Sequence, residues 1–166
     1  MFKITDMREP INYFYDHYGI NKICVEIGVL RGDHAAYMHY KLQPSCLYLV
    51  DPWDIYDDYR IVRNRFSNEI KNGTIFLIRK KSEYTYSLFE DENIDLIYID
   101  GDHTYNGVMM DLTLWYDKVK SGGLISGHDW NKPNVGVKDA VYDFLNNKKE
   151  VLLNKLDDRN FYFIKA

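Results

Sequence analysis

Short, mostly apolar runs recur along the chain at Ile23–Ile27, Cys46–Val50, Thr74–Ile78, Ile94–Ile99 and Gly123–Ser126. Runs of this length and composition suit strands buried on both faces of a sheet. Between them, apolar residues three and four apart predict helices near Gly32–Lys41, Tyr56–Lys71, Tyr84–Phe89 and Tyr105–Lys118, with a leading helix over Arg8–Tyr18. Strand and helix in alternation predict a doubly wound, parallel sheet. Beyond Trp130, Val137, Val141 and Leu145 share one helical face, and Val151–Leu153 and Phe161–Ile164 read as two more strands. The Asn154–Asn160 link is too short for a parallel crossover, so these two are expected to pair antiparallel. The expected architecture is α/β, with a mainly parallel seven-stranded sheet and a C-terminal antiparallel hairpin.

The 166 residues fit a single domain over 1–166, large enough to bury a core. A net charge of -4 argues against a nucleic-acid partner, and the longest basic run is Arg79-Lys80-Lys81. Cys24 and Cys46 lie within apolar runs and read as reduced thiols rather than a disulfide framework. Met1–Arg8 carries no signal-peptide core, and no apolar stretch approaches the roughly 20 residues of a membrane span. A soluble, cytoplasmic protein with no membrane partner is expected. The 15 tyrosines are spread along the chain among acidic neighbours and read as amphipathic packing residues, not as a stacking platform for nucleic acid.

In a doubly wound sheet, ligands bind outside the carboxyl ends of the strands. Two apolar runs end there in acids and imidazoles: Asp100-Gly101-Asp102-His103, and Ser126-Gly127-His128-Asp129-Trp130. The first run ends in Glu26-Ile27-Gly28-Val29-Leu30-Arg31-Gly32, a turn that lets a ligand approach the backbone and leads into a helix N-terminus suited to a carboxylate. Leu30 stands where a dinucleotide fold places its second glycine, so an amino-acid-like ligand is favoured over a pyrophosphate. Glu26 could then accept bonds from an ammonium group; the alternative is that Gly28 and Gly32 only allow close strand-to-helix packing. Asp51, 23 residues after Gly28, suits ribose hydroxyls or a turn before Pro52. Trp53 covers an adenine face or packs, and Ser82 lies near the base or caps the next helix. Asp102 is expected to cap the helix that begins near Thr104, and His17 and His39 to be surface or packing residues.

With these residues in hand, the chain resembles class I S-adenosylmethionine-dependent methyltransferases over Ile23–Trp130. It looks closest to the small-molecule O-methyltransferases related to catechol and macrolide-sugar O-methyltransferases. The resemblance implies a Rossmann-like sheet in which Glu26, Gly28 and Gly32 hold the methionine part of the cofactor. His34 stands where that family often has a Ser or Thr touching the cofactor carboxylate, and Asp51 is the ribose acid. Asp100 and His103 fall on the family's strand-four acid and its base three residues later. His128 and Asp129 fall on consecutive metal ligands that join Asp100 around Mg²⁺ or, given an imidazole, Mn²⁺. The implied reaction is methyl transfer to a hydroxyl of a small molecule, such as a sugar or glycosylated metabolite. The short leader and lack of large insertions place little of the acceptor pocket in this chain, so a homodimer is expected to complete it. A noncatalytic S-adenosylmethionine-binding module is one alternative. A nicotinamide-dependent oxidoreductase is another, against which Leu30 argues.

Overall fold

The computed structural model describes residues 8–54, 58–133, 135–146, 148–153 and 159–166. Six strands, β1 Ile23–Ile27, β2 Cys46–Val50, β3 Ile75–Ile78, β4 Ile94–Ile99, β5 Val119–Gly127 and β6 Phe161–Ile164, form one sheet in the order β3-β2-β1-β4-β5-β6. The first five are parallel, and β6 runs antiparallel to β5 with Ile125 opposite Phe163. The helices are α1 Glu9–Tyr18, α2 Asp33–Leu42, α3 Asp58–Arg65, α4 Ser67–Lys71, α5 Tyr105–Trp115 and α6 Val137–Leu145.

Alternate residues of each strand feed opposite layers, as a period of two requires. Val25, Ile27, Ile97 and Ile99 pack with Val108, Leu112 and Trp115 of α5 and with Val137, Ala140 and Val141 of α6. Cys24, Leu47, Leu49, Leu96 and Tyr98 pack on the other face, with Ile11 and Phe14 of α1 and with Ala35, Met38 and Leu42 of α2. Each large side chain removed from water in this way contributes about 1.5–3 kcal/mol. Two apolar layers clamp the sheet and hold its strand tips at fixed heights.

Several boundaries depart from the sequence expectation. Of the expected helix over 56–71, residues 56 and 57 lie outside the described residues, and the rest breaks into α3 and α4 at Phe66. That side chain turns into the core, and its backbone leaves the helical region at φ -105° and ψ 26°. The expected 84–89 helix is instead two single 3₁₀ turns, Ser82–Tyr84 and Tyr86–Leu88. They meet at Thr85, which is fully buried and whose hydroxyl donates to the Ser82 carbonyl. Strand β5 begins at Val119 rather than Gly123, because Val119 pairs with Ile94 across an irregularity in the β4 ladder. The seventh strand is reduced, among the described residues, to one antiparallel bridge between Leu152 and Phe163. Val151 is 72% exposed, so this segment has too little apolar burial to extend the pairing. The antiparallel sense expected of the C-terminal segments holds.

Candidate active site

Strand order reverses between β1 and β4, and a crevice forms outside the carboxyl ends at such a switch point. Main-chain bonds carry the ladder one residue past each strand: Gly28 N–H donates to Val50 O (2.9 Å), Asp51 to Ile78 O (3.2 Å), Asp100 to Ile27 O (2.7 Å) and His128 to Ile99 O (3.2 Å). The glycine turn and both acidic tips therefore share one side of the sheet.

Gly28 lies in the left-handed region at φ +82°, and a Cβ there would sit 2.1 Å from the Asp100 carbonyl oxygen. Only glycine lets the β1 and β4 tips approach this closely. The following turn is clipped by Asp51, whose Oδ2 accepts from the amides of Val29 (2.8 Å) and Leu30 (3.0 Å), while its Oδ1 accepts from Trp53 N–H (2.7 Å). Trp53 is buried, donates from Nε1 to Leu30 O (2.9 Å) and meets Tyr59 edge-on. Its indole is thus a packing wedge under the turn in this conformation, not an open platform. Gly32, at φ +76°, faces Phe66 and lets α2 start against α3.

Glu26 and His34 lie together beneath this turn, 1% and 4% exposed, with His34 Nδ1 3.1 Å from Glu26 Oε1. The His34 ring also rests on Tyr98, with centroids 4.0 Å apart. Burial pushes the Glu26 carboxyl above its usual range, against the opposing pull of the His34 contact. Glu26 Oε2 and His34 Nε2 are both buried without a protein partner. Two neighbouring unsatisfied polar atoms are costly and fit the ammonium and carboxylate of an amino-acid-like ligand.

At the β4 and β5 tips, His103 stands between two carboxylates, Nε2 3.0 Å from Asp100 Oδ1 and Nδ1 3.0 Å from Asp129 Oδ2. The hydrogen bond to Asp100, helped by both negative charges, raises the His103 pKa against the opposite effect of burial. His128 behaves the other way. Its Nδ1 lies 3.2 Å from Asp129 Oδ1 and 3.8 Å from Asp100 Oδ1, yet burial lowers its pKa and keeps the ring neutral. Lys132 Nζ adds a cation 2.7 Å from Asp129 Oδ2. Asp129 itself sits at φ +60°, a conformation few side chains but Asp and Asn accept readily.

The expected metal set Asp100, His128 and Asp129 is gathered here but not disposed as ligands. The His103 ring bridges the two acids, the Lys132 ammonium pairs with Asp129, and His128 turns its Nδ1 toward a carboxylate oxygen. Among the described residues, no group of three His, Cys, Asp or Glu side chains is placed to hold a metal ion.

Ser82 caps no helix. Its hydroxyl donates to Asp111 Oδ1 of α5 at 2.5 Å. Asp102 is not the N-cap of α5 either: it accepts from Thr104 N–H (2.9 Å), and Thr104 caps the helix by accepting from Gly107 N–H (3.1 Å). Asp111 and Lys132 are the site residues that sequence reasoning missed. A signal for Asp111 exists in its spacing, since Val108, Leu112 and Trp115 place position 111 on the buried face of α5.

Comparison with known proteins gives the family and the fold. The methyltransferase-domain family matches residues 25–130. A protein of Acanthamoeba polyphaga mimivirus called uncharacterized protein R132 is 30% identical over 112 residues, covering 64% of this chain and 50% of its own length, so this chain spans about half of that relative. Among solved structures, a provisionally named caffeoyl-CoA O-methyltransferase from Staphylococcus aureus superposes with a TM-score of 0.76 at 13% identity, over 100% of this chain and 85% of that one. An rRNA methylase from Streptococcus thermophilus gives 0.71 at 15% identity, over 100% and 99%. Geranyl diphosphate C-methyltransferase from Streptomyces coelicolor, solved with S-adenosyl-L-homocysteine, gives 0.71 at 10% identity, over 94% and 75%. At these identities the structural matches establish the fold, whereas the family match covers most of the chain. The chain belongs to the methyltransferase-domain family, whose cofactor is S-adenosylmethionine.

Proposed function

We propose that this chain transfers a methyl group to a hydroxyl of a small molecule, a sugar or glycosylated metabolite among them, with His103 as the base. When bound, S-adenosylmethionine would supply the methyl on a sulfonium, whose sulfur would keep the C–S electron pair on transfer to the acceptor oxygen. The protein's own part is to hold both reactants in line and to take the hydroxyl proton. Glu26 Oε2 accepts from the cofactor's ammonium group, held in place by the His34 contact on Oε1. Gly28 and Gly32 leave room along the turn. Asp51 keeps one free lone pair, on Oδ1, beyond its three amide bonds and would accept there from a ribose hydroxyl. Ser82 lies on the adenine side.

His103 supports this reading more than any other residue. It is flanked by Asp100 and Asp129, and the hydrogen bond to Asp100 with both negative charges raises its pKa against the opposite effect of burial. Loss of one proton leaves Nδ1–H on buried Asp129 and frees Nε2, on the more exposed Asp100 side, to take the acceptor's proton. The acceptor enters beside Asp100 and displaces the Nε2 contact.

Calorimetric titration with S-adenosylhomocysteine is expected to show one site per chain. Release of S-adenosylhomocysteine on incubation with hydroxylated acceptors is expected for the wild type and lost in His103→Gln. Failure of both S-adenosylmethionine and S-adenosylhomocysteine to bind would overturn the proposal.

A further inference from the structure

The β3 side of the sheet is left unfinished. Parallel sheets are ordinarily covered on both faces. Here the 79–93 connection makes only two 3₁₀ turns where a crossover helix would lie, and a strip of sheet stays open. A groove of about 460 Å³ runs along that strip, walled by Tyr48, Phe76, Ile78, Leu88 and Phe89 and bordered by Glu90. Phe76 is 39% and Leu88 66% exposed.

The same strand ends the sheet. It reads Ile75-Phe76-Leu77-Ile78, with no charge, proline or register shift to blunt the edge. The Thr74 and Ile78 carbonyls accept from β2, so by alternation the peptide groups of Ile75 and Leu77 face outward. The opposite edge is protected: Leu153 N–H donates to Tyr162 O at 2.9 Å, and Leu152 bridges to Phe163.

We propose that β3 pairs antiparallel with β3 of a second copy of this chain about a two-fold axis, joining the two sheets and covering both grooves. Charge favours this partner and this sense. Because β3 and β4 point the same way in the sheet, Lys80 and Lys81 follow the carboxyl end of β3, whereas Glu90 precedes β4 at the amino end. All three side chains are exposed, and none has an ion pair among the described residues. Lys71, also at the amino end, closes α4 on the other face of the sheet, where Ile70 packs. Antiparallel pairing brings the lysines of each copy to Glu90 of the other, twice by symmetry, while parallel pairing would set lysine beside lysine. Such an interface closes at two copies and leaves no open strand to recruit a third. It stands three strands from β4, so the second copy covers apolar surface and adds nothing to the Asp100 and Asp129 tips.

Sedimentation equilibrium of the full chain is expected to give twice the chain mass at micromolar concentration. Phe76→Lys is expected to give a monomer with the wild-type circular dichroism spectrum. Glu90→Lys, and separately Lys80→Glu with Lys81→Glu, should each weaken the dimer about 10- to 100-fold, and all three changes in one chain should restore it. That restoration is not expected of a contact elsewhere on the molecule, and the charge series keeps the test decisive if Phe76→Lys does not fold. A wild type that stays monomeric up to about 100 μM overturns the inference, as does assembly beyond two copies. So does a dimer that persists in Phe76→Lys, or one that the combined charge exchange fails to restore. The methyltransferase reading stands or falls separately, on cofactor binding.

Discussion

Gly28→Ala is expected to loosen the junction between the cofactor turn and the β4 tip, and Gly73→Ala supplies its control. Both glycines lie in the left-handed region, at φ +82° and +80°, so alanine at either costs about 1–2 kcal/mol of backbone strain. Their surroundings differ. Nothing lies within 4 Å of a Cβ at Gly73, while at Gly28 it would meet the Asp100 carbonyl oxygen at 2.1 Å, its carbon at 2.4 Å and the Gly101 nitrogen at 2.7 Å. These are main-chain atoms inside a ladder and cannot rotate away, so overpacking adds about 1–3 kcal/mol. Separating the tips also strains the 2.7 Å bond from Asp100 N–H to Ile27 O, worth about another 1 kcal/mol. Gly28→Ala should therefore lose at least about 2 kcal/mol more than Gly73→Ala, or roughly 4–8 °C in Tm for a domain of this size. Guanidinium denaturation followed by far-UV circular dichroism measures the difference, and calorimetry should show weaker S-adenosylhomocysteine binding for Gly28→Ala alone. Equal losses in the two variants, within about 0.5 kcal/mol, would refute the close-approach argument.

His103→Gln should lower kcat about 10²–10⁴-fold with little change in S-adenosylhomocysteine affinity; an unchanged kcat removes His103 as base. Because its neighbours raise the His103 pKa, the rate should climb with pH along a limb lying above the ordinary histidine value, and Asp100→Asn should move that limb acidward. A limb that stays in place would show that another group titrates. Glu26→Gln should weaken S-adenosylhomocysteine about 10- to 100-fold without lowering the Tm of the ligand-free protein, since its Oε2 has no protein partner to lose. Asp111 has its carboxyl raised from 3.8 to about 6 chiefly by burial, so the native state binds its proton more tightly than the unfolded chain and loses stability as pH rises through about 6. The stability of Asp111→Asn relative to wild type should consequently increase by up to about 3 kcal/mol between about pH 4 and pH 8, and a difference independent of pH would count against the burial argument.

Much of this fold is legible in the sequence because its strands are short apolar runs and its main helices carry apolar residues on one face. Ile23–Ile27, Cys46–Val50 and Ile94–Ile99 stand in the sheet at the expected bounds. The start of β5 is hidden, because Lys120, Ser121, Gly122 and Gly123 look like a turn, and only the pairing of Val119 with Ile94 on one side of them and of Leu124 with Leu96 on the other makes one strand of the segment. The break at Phe66 is hidden for a related reason: a periodic pattern does not show that one aromatic will leave the helix to fill the space above Gly32. At the site, the acids at the strand tips were visible as polar residues closing apolar runs. What a pattern cannot give is which side chains satisfy one another. The placing of His103 3.0 Å from both Asp100 and Asp129 depends on side-chain geometry that spacing along the chain does not fix. So does the distinction between Asp102 and Thr104 as cap.

The clip formed by Asp51 has a consequence for the kinetics of ligand capture. Leu30 is 62% exposed, yet its amide and those of Val29 and Trp53 are all engaged by one carboxylate. A loop that would otherwise fray is thereby rigid before anything enters the crevice. Hydrogen–deuterium exchange at these three amides should be slow in the ligand-free protein and little slowed further by S-adenosylhomocysteine, the signature of a preformed receptor rather than one assembled around its guest.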